Sequence, residues 1–88
     1  MSNLRIGLGD LLLALAFMLI NSEDGAEDEL LRELRKLENV EEANRVDGVY
    51  DIIVKVRAST KKYLKEVSTW RIRKLDKVRS TLTVVARD

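Results

Sequence analysis

Ten consecutive apolar residues, Leu11 to Ile20, leave this chain few folds to choose from. A helix or strand with one wet face places polar residues at its own period, and this run has none. It is too short to cross a bilayer, which takes roughly 20 apolar residues. Extending it back to Leu4 meets Asp10 and Arg5 within 17 residues. A secretory signal would use Arg5 as its positive end, but no small-residue cleavage site follows Ile20. The run therefore reads as a strand buried on both faces, Leu15, Phe17 and Leu19 alternating with Ala16, Met18 and Ile20. The turn-like residues Asn21 to Gly25 bound it.

From Asp24 the period becomes helical. Ala26, Leu30, Leu34 and Leu37 recur at spacings of three and four, with Glu27, Glu29, Arg32, Glu33, Arg35 and Lys36 in the other directions. Ser22, Glu23, Asp24 and Glu27 offer caps and acids at the start, where the helix dipole is positive. Val40 to Asp47 alternates imperfectly, which predicts an edge strand or a bulge. Asp47-Gly48 predicts a tight hairpin, because a two-residue turn needs positive φ. In the strand that follows, Ile52, Val54 and Val56 alternate with Ile53, Lys55 and Arg57. Ser59 and Thr60 can cap a second helix whose apolar face is Leu64, Val67, Ile72 and Leu75, with the stem of Arg71 among them. Tyr63 and Trp70, seven apart, share one flank, which we read as the border of the core rather than a subunit contact. Val78 to Ala86 closes the chain as a strand.

Strand, helix, strand, strand, helix, strand is the ferredoxin-like βαββαβ arrangement, an α+β fold with a four-stranded antiparallel sheet and two helices on one face. The first and third strands are then central. Because the first strand is apolar on both sides, something must cover the open face of the sheet. A second copy of the chain does so with no other gene product, and an N-terminal extension folding back is the alternative.

The chain has 88 residues, enough for one domain with a modest core. Sixteen basic residues nearly cancel 15 acidic ones, so no strong field for phosphate backbones exists and direct nucleic-acid binding is not expected. Cysteine and histidine are absent, which removes disulfides, thiolate and imidazole chemistry and the usual zinc ligands. Asp51 could be a proton-transfer carboxylate, but no second group stands at a telling offset. It reads as an acceptor for turn backbone or for a bound ammonium. Ser80, Thr81 and Thr83 have no base to activate a nucleophile and read as strand hydroxyls. Glu38, Glu41 and Glu42 match no cation-binding loop and read as a solvated acidic corner. Arg71, Arg73, Lys74, Lys77 and Arg79 form the one concentrated basic stretch, at the end of the second helix, where cations offset the dipole. No catalytic residue, cofactor or metal is expected, and an enzyme of the dimeric α/β-barrel kind is weakened most by the missing histidine.

Ala16-Phe17-Met18-Leu19-Ile20-Asn21, Val46 to Val56 with its Gly48-Val49-Tyr50-Asp51 segment, and Val78-Arg79-Ser80-Thr81-Leu82-Thr83 stand in an order and spacing that resembles the RAM, or effector-binding, domain of the Lrp/AsnC transcriptional regulators. The likeness covers roughly residues 14 to 86. It implies dimers that pair sheet to sheet and assemble further, commonly into octamers or decamers. It also implies clefts between subunits that bind amino acids. Here those positions are Gly48, Tyr50 and Asp51, with Thr81 and Thr83 nearby. The resemblance divides the chain into an N-terminal extension, 1–13, and an effector-binding domain, 14–88. Full-length relatives carry a helix-turn-helix before this domain, so the stand-alone form would regulate transcription indirectly, as a cytoplasmic homo-oligomer or in assembly with full-length Lrp/AsnC regulators. Asp76-Lys77 departs from the Pro-Gly often found there. A purely structural assembly domain is the alternative, and neither reading involves a membrane.

Overall fold

The computed structural model describes residues 13–87. Its elements are β1 (Ala14–Ser22), α1 (Glu27–Arg35), β2 (Val40–Arg45), β3 (Ile52–Ala58), α2 (Lys61–Glu66) and β4 (Val78–Val85). Helix α2 runs on into a π-helical segment, Val67–Ile72. All strand pairs are antiparallel and the sheet order is β2-β3-β1-β4, which puts the first and third strands in the centre. This is the ferredoxin-like α+β arrangement. Residues 1–12 of the expected extension, with Leu11 and Leu12 of the apolar run, lie outside the described residues.

Alternation along the central strands sorts their side chains into two sets. Ala16, Met18 and Ile20 of β1 and Ile52, Val54 and Val56 of β3 are fully buried beneath the helices, which add Leu30, Leu31, Leu34, Leu64, Val67 and Ile72. Burying one such large side chain contributes about 1.5–3 kcal/mol, so this layer is the main stabilising term. The other faces of the same strands carry Leu15, Phe17 and Leu19 opposite Arg57, Lys55 and Ile53. Burial of β1 on both sides is thus half met among the described residues.

Several local expectations give way to backbone geometry. Helix α1 begins after Ala26, with no side-chain cap, because Ser22 is the last residue of β1 rather than a cap. Gly25, at φ +77, makes the turn between them. The β2–β3 connection is a six-residue loop, 46–51, closed by a 2.8 Å hydrogen bond from the Val46 N–H to the Asp51 carbonyl. Only Gly25 and Gly48 have positive φ among the described residues, so Asp47 does not form the two-residue turn its pairing with glycine suggested.

β2 is an edge strand with a register shift between Val40 and Glu42, as its imperfect alternation implied. Its outer edge is occupied: the Arg35 guanidinium donates from Nε and Nη2 to the Ala43 carbonyl oxygen at 3.0 and 2.6 Å. β4 forms the other edge, with Arg79 as its only charged residue.

The apolar spacing of the second helix explains its π segment. Val67 and Ile72 are both buried, yet five residues of α-helix would turn Ile72 about 140° away from Val67. Widening the helix brings both inward, and the Arg73 N–H bonds to the Ser68 carbonyl at 3.0 Å, a five-residue step. Buried Ser68 satisfies its hydroxyl on the Leu64 and Lys65 carbonyls, both at 3.1 Å. Arg71 is exposed instead of lying along the apolar face. Tyr63 borders the core as expected, but Trp70 is 64% exposed, with the Lys74 ammonium 4.6 Å from its ring centre.

At the start of α2 the Thr60 hydroxyl accepts from the Tyr63 N–H at 3.0 Å. Thr60→Ala should lower stability by about 1 kcal/mol, whereas Ser59→Ala should stay within about 0.5 kcal/mol. Urea denaturation of the two variants checks this.

Candidate functional site

The loop 46–51 and the C-terminal end of β1 lie at the same end of the sheet. Asp51 joins them through three of its groups. Its N–H donates to the Ile20 carbonyl at 2.9 Å, its carbonyl closes the loop on Val46, and its Oδ2 accepts from both the N–H and the hydroxyl of Ser22, at 2.9 and 3.1 Å. Ser22 is 4% exposed, so these bonds satisfy donors that water reaches poorly. The Asp51 side chain thus accepts from the end of β1 rather than from the turn backbone. Gly48 holds φ +154, a conformation that side chains disfavour, and Val49 beside it is 84% exposed while Tyr50 is half-buried.

On the other side of β1, Thr81 stands opposite Ile20 and Thr83 opposite Met18. Directly paired residues share a face, so both threonines project to the helix side of the sheet, Thr81 half-buried and Thr83 exposed. The fold thus brings Asp51 and Thr81 to opposite flanks of β1 at the level of Ile20, sets Gly48 and Tyr50 in the adjoining loop, and leaves Thr83 two residues further down. Three clefts among the described residues lie elsewhere. One of about 330 Å³ runs between α1 and the turn 74–77, one of about 380 Å³ lies along the β2 edge, and one of about 160 Å³ on the open face is lined by Phe17, Glu42, Asn44, Ile53 and Lys55. The five predicted residues line none of these three.

Among the described residues the open face of the sheet is apolar and partly exposed. Phe17 and Val84 stand opposite each other, as do Leu19 and Leu82. Phe17, Leu82 and Val84 are 36%, 46% and 52% exposed, with Leu15, Leu19 and Ile53 partly so. Asn21 Nδ2 donates to Ser80 Oγ at 3.2 Å at the loop end. At the β2 side, Glu41 pairs with Arg57 and with Lys55, the latter at 3.6 Å. The hydrogen bond from Arg57 holds the Glu41 carboxyl below the usual glutamate range, outweighing partial desolvation, and the charges of Arg57 and Lys55 assist. Among the described residues no group of acids is placed to hold a metal, and no helix is long and apolar enough to cross a membrane.

Over residues 15–87 the sequence matches the family described as the Lrp/AsnC ligand binding domain. The chain belongs to this Lrp/AsnC family. Solved structures agree. FFRP-DM1 is 38% identical with a TM-score of 0.81, the match covering 83% of this chain and 97% of that one. The hypothetical protein PHS023 from Pyrococcus horikoshii is 38% identical at 0.79, covering 83% and 88%. A feast or famine regulatory protein from M. tuberculosis, solved in complex with L-methionine, is 26% identical at 0.74, covering 96% of this chain and 55% of that one. Among curated proteins no sequence matches. Lrp/AsnC membership accounts for the fold, but Ser22 as the partner of Asp51 was missed. The signal was available, since Ser22 continues the alternation of Ala16, Met18 and Ile20.

Asp51→Ala leaves the buried Ser22 donors without their acceptor and should cost about 1–3 kcal/mol. Ser22→Ala should cost less, and the double variant should be no worse than Asp51→Ala alone, as measured by chemical denaturation in a double-mutant cycle. Glu41 acts through a lowered carboxyl pKa, so its contribution is present above the ordinary glutamate range and is lost as pH falls through the folded-state value. Glu41→Gln should cost no more than about 1 kcal/mol near neutral pH, because the pair is exposed. The gap to the parent should close on acidification, read from unfolding curves across pH.

Proposed function

We propose that this chain is a small-molecule-binding and oligomerisation module that recognises an amino acid and serves the regulation of transcription in amino acid metabolism. The family match over residues 15–87 carries this reading, and the L-methionine complex of the M. tuberculosis relative supports the ligand class. The open face supports the assembly part. It is a continuous apolar surface on three adjacent strands, and the same face of a second copy would cover it isologously. The effector cleft would form between subunits from Gly48, Tyr50, Asp51, Thr81 and Thr83, which one chain alone leaves on separate surfaces. Glycine keeps loop N–H groups accessible to a carboxylate. The Asp51 charge attracts an ammonium, and threonine hydroxyls serve either group. With a net charge of +1, contact with DNA would fall to full-length Lrp/AsnC partners.

A second reading, a purely structural assembly domain, is favoured by one observation: Oδ2 of Asp51 is already committed to Ser22. Asp51→Asn separates the two, because the amide oxygen can still accept from Ser22 while the charge for an ammonium is gone. A thermal-unfolding screen against the twenty amino acids should show a selective upward shift, about 2.7 kcal/mol of stabilisation at 100 times the dissociation constant. Asp51→Asn should abolish that shift with the oligomer intact by sedimentation. A shift with no amino acid, or one that survives Asp51→Asn, would move the assignment to the structural reading or to other ligand-binding residues.

A further inference from the structure

Opposite charges line the two walls of the cleft between α1 and the turn 74–77 without pairing across it. Glu29 and Glu33, one helical turn apart, share a flank of α1 and form one wall. Lys74 and Lys77 form the other, with Asp76 between them in the chain. Among the described residues no acid of this cleft is ion-paired with either of its lysines. Glu33 is paired instead with exposed Lys36 at 3.6 Å, and the Lys74 ammonium lies over the Trp70 ring. Between the walls the lining is apolar. Leu30 belongs to the core and Leu75 packs against it, so these two side chains form the bottom. Backbone bonds hold the turn in place: the Glu23 N–H donates to the Lys77 carbonyl at 2.8 Å, and the Val78 N–H to the Leu75 carbonyl at 3.1 Å. At about 330 Å³ the cleft is as large as sites that take small molecules, which run from about 300 to 1,000 Å³.

We propose that this cleft binds a small zwitterion whose ammonium and carboxylate stand at opposite ends of a short apolar stem, in chemical class an ω-amino acid. Glu29 and Glu33 accept from the ammonium, Lys74 and Lys77 donate to the carboxylate, and the stem lies over Leu30 and Leu75. A simple anion is disfavoured, because the lining carries three acids against two lysines. A simple amine leaves both lysines without a partner. An α-amino acid holds its two charges at one end, whereas here the charged walls are separated by apolar surface. The cleft shares no residue with Gly48, Tyr50, Asp51, Thr81 and Thr83, so the inference stands independently of the effector reading.

Trp70 is the only tryptophan, and a carboxylate that draws Lys74 off its ring should change its emission. The isomers ε-aminocaproate and norleucine differ in charge separation alone. In a Trp70 titration norleucine, hexanoate and hexylamine should each bind at least about tenfold more weakly than ε-aminocaproate, the effect of losing one hydrogen bond to a charged group. Calorimetry should give one ε-aminocaproate per chain. Glu29→Gln should weaken ε-aminocaproate about tenfold and leave hexanoate unchanged, since only the ammonium end is lost. Lys77→Met should also weaken ε-aminocaproate but leave hexylamine unchanged. Neither residue belongs to the core, and circular dichroism checks that both variants are folded. Norleucine or hexylamine matching ε-aminocaproate in the Trp70 signal would overturn the proposal. So would ε-aminocaproate binding that survives both substitutions unaltered, or no heat of binding with ε-aminocaproate.

Discussion

β1 is hydrogen-bonded to a neighbour on both sides and apolar on both faces, and the rest of the molecule is arranged around that condition. Its inner side chains, Ala16, Met18 and Ile20, need a roof, which the two helices supply with leucine, valine and isoleucine. Its outer side chains, Leu15, Phe17 and Leu19, need a floor that the described residues do not supply. A protein this small cannot bury both layers of a two-faced strand with its own residues. Association with a second copy, as proposed, would complete the hydrophobic core.

What could be read from the residues follows from how local each cause is. The order of elements, the central positions of β1 and β3, the irregular β2 and the Thr60 cap all depend on periodicity or on a side chain reaching three residues along, and each appears where it was expected. The misses depend on contacts distant in sequence. Ser22 looked like a cap because its partner, Asp51, lies 29 residues away. Asp47-Gly48 looked like a two-residue turn, but Asp51 bonds to Ile20 and Ser22 and so sets the length of the loop from outside it. The five-residue step from Val67 to Ile72 was visible and is incompatible with a regular apolar stripe, yet only the observed hydrogen bonding identifies a π segment as its resolution.

The candidate site was legible in composition rather than in geometry. Residue types suited to an α-amino acid were present at the loop and on the last strand. That they fall level with Ile20 on opposite flanks of β1 follows from strand register, which no local pattern reveals. The proposed cleft between subunits would reconcile the scatter within one chain with recognition of a single small molecule.

The two edges of the sheet are finished differently. On β2 the Arg35 guanidinium plugs the outward carbonyl of Ala43, and the bulge at Glu41 disrupts the row of groups that another strand would need. β4 presents eight residues with one charge and no such plug. Strand addition to this sheet is consequently one-sided. Two chains joined along β4 would expose only plugged margins, and the ladder would end there. One arginine on α1 thus makes the two margins of the sheet unequal as templates for another strand.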